Sequence, residues 1–203
     1  MARATYHHGN LRAALLEAGE RLLREHGAAN ISLRSVARAA GVSHTAPYRH
    51  FADKQALLAA LAETGFLRLR DAMYASITKH PDDPRQQFVE SAAAYVGLAV
   101  ANPEMNQLMF SGTVPDDARS DSFRETAQAS FQGLLDIIEN GMRAGLYVDR
   151  PLLELAATAW SLVHGLAMLV STGKLPGSDT PDTDPQTMAR RMAERLLDGI
   201  TAR

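Results

Sequence analysis

Residues 32–54 read SLRSVARAAGVSHTAPYRHFADK, and the fold turns on how that stretch is parsed. Ser32 is an N-cap residue ahead of Leu33, Val36, Ala37 and Ala40, the apolar spacing of one short helix, and Gly41 stops that helix. After Gly41-Val42, Ser43 is a second cap, predicting another short helix through His44 and Tyr48 to about His50, and Asp53 caps the next. Two short helices joined by a tight glycine turn have the dimensions of a helix-turn-helix, whose second helix offers its N-terminal side chains to a DNA major groove. Val36, Ala37 and Val42 supply a small apolar hinge, and Ala40 and Gly41 leave room for close approach.

The face left over carries Arg34, Ser43, His44, Thr45, Tyr48, Arg49, His50 and Lys54. Arg34 can pair bidentately with guanine or contact phosphate, while Thr45, Tyr48 and Lys54 suit phosphate oxygens. His44 and Thr45, at the tip of the second helix, are the candidate base readers. Tyr48 packed in a core and Lys54 as a plain helix-start residue are the bland alternatives.

Outward from this stretch, helical periodicity covers the chain. Leu11, Leu15, Ala18 and Leu22 make one amphipathic helix from an Asn10 cap to Gly27. Later helices are expected from Asp53 to about residue 77, over 85–101, 103–110, 117–144 and 151–171, and from Gln186 to about residue 202, with Pro- and Gly-rich breaks between them. The fold class is all-α with about nine helices: residues 1–55 as a three-helix head with the helix-turn-helix, and residues 56–203 as an all-helical body. No β alternation, internal repeat or long heptad run is evident.

Charge divides the same way. Residues 1–55 hold eight basic groups (Arg3, Arg12, Arg21, Arg24, Arg34, Arg38, Arg49, Lys54) against four acids (Glu17, Glu20, Glu25, Asp53), a balance of +4 that leaves −6 for the rest of a chain totalling −2. A basic head on an acidic body suits a protein with one end meeting a polyanion. The 203 residues contain no cysteine, which removes disulfide frameworks, Cys-based zinc sites and thiol nucleophiles. The N-terminus lacks the apolar segment of a signal peptide, so a cytoplasmic location is expected. Residues 152–170, LLELAATAWSLVHGLAMLV, resemble a membrane span, but Glu154 and His164 within them favour a helix buried in protein and no membrane partner.

Taken together, Val36-Ala37, Ala40-Gly41-Val42-Ser43, Tyr48-Arg49-His50-Phe51 and Lys54-Gln55-Ala56-Leu57 resemble the DNA-binding domain of the bacterial tetracycline-repressor (TetR) family, over residues 10 to about 62. The resemblance implies base contacts at Arg34 and His44, phosphate contacts at Tyr48 and Lys54, and a core place for Phe51. Pro47 departs from the pattern, standing where an ordinary apolar residue is usual. The body resembles the family's Trp-His-Gly type through Trp160 and His164-Gly165.

That kinship implies a homodimer on a palindromic operator, paired through the last two helices, with Leu155, Leu162, Leu166, Leu169, Met192, Leu196 and Ile200 as interface knobs. It also implies a small-molecule effector of unknown identity, in a pocket for which Phe66, Tyr95, Met105, Met109, Phe110, Phe131, Trp160 and His164 are the candidate lining. The expected function is therefore a ligand-released transcriptional repressor on double-stranded DNA. The alternative is a DNA-binding or architectural protein without an effector pocket. No His-Glu-x-x-His, P-loop, Gly-x-Gly-x-x-Gly or Gly-x-Ser-x-Gly spacing supports an enzyme, and no cofactor or metal is expected. The Asp179, Asp182 and Asp184 group reads as a solvated loop, and His7-His8 as a terminal tail or a basic arm.

Overall fold

The computed structural model describes residues 11–147, 150–175 and 184–200. Asn10, His7-His8, Asp179, Asp182 and the side chain of Ile200 lie outside the described residues. Every regular element described is helical: α1 (Leu11–His26), α2 (Leu33–Ala39), α3 (Lys54–Lys79), α4 (Pro84–Ala101), α5 (Pro103–Phe110), α6 (Asp121–Arg143), α7 (Leu152–Ser171) and α8 (Pro185–Ile200). Short 3₁₀ turns occupy Ala28–Asn30, Ala46–Arg49 and Asp116–Ala118.

The caps explain most of these boundaries. Ser32 and Ser35 form a reciprocal capping box: Ser35 N donates to Ser32 Oγ at 3.0 Å and Ser32 N to Ser35 Oγ at 2.9 Å. Asp53 accepts from Ala56 N at 2.9 Å, Asp83 from Gln86 N at 3.0 Å and Asp184 from Thr187 N at 2.9 Å, opening α3, α4 and α8. α2 ends in a Schellman motif, with Gly41 N donating to Arg38 O and Val42 N to Ala37 O, and Gly41 at φ +69° supplies the left-handed residue it needs. α6 and α7 end in the same hydrogen-bond pattern at Gly145 and Gly173.

The chain forms two compact units. One comprises the residues up to Gly65 together with Glu104–Arg124, the other Phe66–Pro103 with the residues from Glu125 onward. The expected boundary at residue 55 thus falls in the first turn of α3, a helix that supplies residues to both units.

In the first unit Leu15, Ala18 and Leu23 of α1 are buried with Val36 and Ala37 of α2, Phe51, and Leu57, Leu58 and Leu61 of α3. Phe51 takes its expected core place, and the Arg12 guanidinium lies over its ring at 5.7 Å. In the second unit α4 packs on both α7 and α8, which also touch each other. Buried alanines at Ala92, Ala93, Ala189 and Ala193 keep these helices thin where they meet, and Phe88, Val96 and Leu197 fill the space between. Arg190 grips Glu90 through a two-pronged bridge, Nε–Oε1 at 2.9 Å and Nη2–Oε2 at 3.1 Å, which holds that carboxylate below its ordinary range.

The stretch expected to be a buried helix is α7, long and apolar enough to cross a membrane by length and composition. Only 28% of its apolar window is buried in this chain. Leu153, Trp160, Met168 and Leu169 stand exposed on it.

Candidate nucleic-acid interface and polar cluster

The predicted second helix of the motif differs from its expectation. Over 43–50 the backbone makes a 3₁₀ turn, Ala46–Arg49, with Thr45 rather than Ser43 at its N-cap position and no side-chain cap bond. The cause is Pro47. An α-helix here needs the amide of residue 47 to donate to the Ser43 carbonyl, and proline has none. The Ser43 carbonyl accepts instead from Ala46 N at 3.0 Å, and Pro47 O accepts from both His50 N and Phe51 N at 2.9 Å. The ring of Pro47 is fully buried, so it takes a place in the core of the head.

Around this turn Arg34, Ser43, His44, Thr45, Tyr48, Arg49 and His50 are all exposed, Tyr48 at 52%. Tyr48 is therefore not a core residue. Ser43 Oγ and Thr45 Oγ1 share a hydrogen bond at 3.2 Å. Among the described residues no hydrogen bond or ion pair engages the side chains of Arg34, His44, Tyr48 or Arg49. Lys54 differs: it is half-buried and its Nζ donates to the Ala29 carbonyl at 2.7 Å, tying the start of α3 to the turn after α1.

The candidate pocket residues divide between the units. Met105 and Met109 belong to the first unit and stand over Gly65, where a Cβ would meet Met109 Sδ at 2.5 Å; Phe110 is in that unit too. Phe66, Tyr95, Phe131, Trp160 and His164 belong to the second. Four of these converge. Tyr95 Oη lies 2.7 Å from His164 Nδ1, Trp160 contacts the His164 ring at 6.0 Å between centroids, and Phe131 meets Trp160 edge-on at 6.0 Å.

The order of donors follows from chemistry. Indole N–H only donates, and Trp160 hydrogen-bonds the Tyr95 oxygen, so the Tyr95 hydroxyl is free to donate onward to His164 Nδ1. Burial pushes the Tyr95 phenol up to about 12 and lowers the His164 pKa from 6.5, so both are neutral at pH 7, the state in which a Tyr95 hydroxyl donating to Nδ1 leaves the His164 proton on Nε2. Trp160 and His164 were expected together from their four-residue spacing, but the Tyr95–His164 bond joins positions 69 apart and no spacing reveals it.

The expected interface knobs also separate. Leu155 and Leu166 are 6% and 3% exposed, inside the core of their own unit, and so are unavailable to a partner. Leu162, Met192 and Leu196 instead line a groove of about 560 Å³ between α7 and α8, and Leu169 is exposed on α7.

These features define the class: an all-α protein with an N-terminal helix-turn-helix head whose second helix is shortened to a 3₁₀ turn. Residues 15–61 match bacterial regulatory proteins of the tetR family, and residues 88–196 match the tetracyclin repressor-like C-terminal domain. The chain belongs to the TetR family, whose members are transcriptional regulators rather than enzymes.

An HTH-type transcriptional regulator of Mycobacterium tuberculosis is 31% identical over 137 residues, 66% of this chain and 58% of the relative's length. The chain thus spans somewhat over half the length of the curated relatives it matches. A structure of a protein of unknown function from Rhodococcus sp. RHA1 superposes with a TM-score of 0.85 at 34% identity, covering 98% of this chain and all of that one. A TetR family regulator from Marinobacter aquaeolei VT8 shares the fold, with a TM-score of 0.69 at 23% identity over 95% of this chain and 96% of its own.

Proposed function

We propose that this chain is a DNA-binding transcriptional regulator of the bacterial cytoplasm, acting as a homodimeric repressor on a palindromic operator and released by a small-molecule effector. The observation that carries the reading is the cluster around the Gly41 turn, where seven polar side chains are exposed on a fixed backbone. In this reading Arg34, His44 and Thr45 address base edges, Ser43, Tyr48, Arg49 and His50 address the backbone around them, and Lys54 adds a phosphate contact with the donors its bond to Ala29 leaves over.

Two copies pair through the outward faces of α7 and α8. Leu162, Leu169, Met192 and Leu196 supply the apolar surface, which accounts for a helix as apolar as α7 being so little buried in one chain. The effector binds in the second unit, where Trp160, Tyr95 and His164 give the Trp-His-Gly arrangement a polar handle on an aromatic wall. An effector that prefers the DNA-free spacing of the two heads by about 2–3 kcal/mol suffices for release.

The test is selection of duplexes from a random library by the purified protein at about 0.15 M salt, where nonspecific binding is weak. Enrichment of an inverted repeat is expected. Enrichment of nothing, or of single unpaired half-sites, overturns the dimeric-operator reading.

A further inference from the structure

The first unit contains a cavity of about 350 Å³. It is lined by the first turns of α3 (Lys54, Gln55, Leu58), by α5 (Glu104, Gln107, Leu108) and by the backbone around Ala28. We propose that this cavity is a binding site for a free α-amino acid, separate from the aromatic cluster of the second unit.

Charge decides the class. Lys54 and Glu104 line the same cavity without forming an ion pair with each other. The Lys54 ammonium gives one hydrogen bond to Ala29 O at 2.7 Å and keeps two N–H groups, one for a ligand carboxylate here and one for the phosphate contact proposed above. No hydrogen bond or ion pair joins the Glu104 or Gln107 side chain to another described residue. A simple anion such as phosphate would meet the Glu104 carboxylate, and a simple cation would meet Lys54. A molecule carrying both a carboxylate and an ammonium satisfies the two at once.

The remaining lining fits the same occupant. Gln55 also lines the cavity, and its Oε1 is shut off from solvent with no hydrogen-bond partner, an acceptor left unsatisfied beside it. Leu58 and Leu108 are buried apolar residues placed to take a side chain. The volume is at the small end of ligand pockets, suited to a metabolite of amino-acid size rather than a nucleotide or a fatty acid.

The experiment needs no DNA, so its outcome is independent of the operator reading. The thermal midpoint of the full chain is measured with each of the twenty free amino acids at about 10 mM, and with the N-acetylated and C-amidated forms of each. At least one free amino acid is expected to raise the midpoint by roughly 5–10 °C at a hundredfold excess over its Kd. Its acetylated form, lacking the ammonium, and its amidated form, lacking the carboxylate, should not. Titration calorimetry on Glu104→Gln should show affinity at least about 10-fold weaker, and Gln55→Met, which deletes the unsatisfied oxygen, should gain stability in the absence of ligand. No response to any free amino acid overturns the proposal. So does an equal response to the blocked forms, or full affinity in Glu104→Gln.

Discussion

Replacing Pro47 by alanine tests both the packing of the head and the way it aims its polar face. The ring is fully buried, and the substitution removes two methylenes from the core, about 1.6 kcal/mol at roughly 0.8 kcal/mol each, before any cavity that fails to close. Loss of the φ constraint in the unfolded chain adds about 0.4–1 kcal/mol. Against this, the new amide at position 47 can donate to the Ser43 carbonyl, returning up to about 1 kcal/mol, less because Ala46 N already bonds there. The net is about 1–2.6 kcal/mol of destabilisation. With a urea m-value near 2 kcal/mol per M, the midpoint should fall by roughly 0.5–1.3 M with the slope unchanged.

The second half of the prediction concerns DNA. Restoring the amide allows the turn at Ala46–Arg49 to relax from 3₁₀ toward α geometry, from about 120° to about 100° per residue, so Tyr48, Arg49 and His50 re-aim by roughly 20° for each residue of the turn. Duplex selection with Pro47→Ala should therefore recover a sequence preference different from that of the parent chain. An unchanged urea midpoint would show that the ring carries no core packing. A lower midpoint with an identical preference would refute the argument that the 3₁₀ turn sets the direction of these side chains.

Tyr48→Ala and Lys54→Ala should weaken binding to all duplexes alike, with Lys54→Ala also lowering the salt slope by about 1, whereas Arg34→Ala and His44→Ala should change which sequence is preferred; uniform loss at all four positions would contradict the division into readers and positioners. Leu162→Glu and Leu196→Glu should give folded monomers by sedimentation, while Leu166→Glu, at a site 3% exposed in its own unit, should fail to fold; dimers surviving in both of the first two would move the interface off α7 and α8. Burial lowers the His164 pKa below 6.5, so the folded chain binds fewer protons than the unfolded one just below that value. Its contribution to stability is complete above pH 6.5 and is lost as the pH falls from 6.5 through the folded value. Thermal midpoints of the parent chain should decline over that window more steeply than those of His164→Gln, and parallel curves would show that His164 is not buried in its neutral form.

The helices and most of their ends are legible in the amino acids alone. Ser32, Asp53 and Gly41 act through bonds to backbone groups one turn away, and the 3.6-residue period of Leu15, Ala18, Leu22 and their successors is a local property, so reading them needs no knowledge of the rest of the chain. The polar face of the head was legible for the same reason: Arg34 and residues 43–50 are sequence neighbours held by one turn. Even the failure of the second helix was signalled locally by Pro47, though its full burial, which makes the turn part of the core, was not.

What depends on which helices meet is visible only in the folded chain. Leu155 and Leu166 are indistinguishable from Leu162 and Leu169 by type, and only the packing of α7 on α4 and α8 tells which leucines are spent inside the chain and which stay at its surface. The same holds for Tyr95 and His164, whose hydrogen bond spans 69 residues, and for Lys54 and Glu104, which share a cavity although one opens α3 and the other lies in α5. Local bonds repeat along a chain with a period that can be read, whereas contacts between helices depend on which faces come together in three dimensions, and no one-dimensional spacing records that.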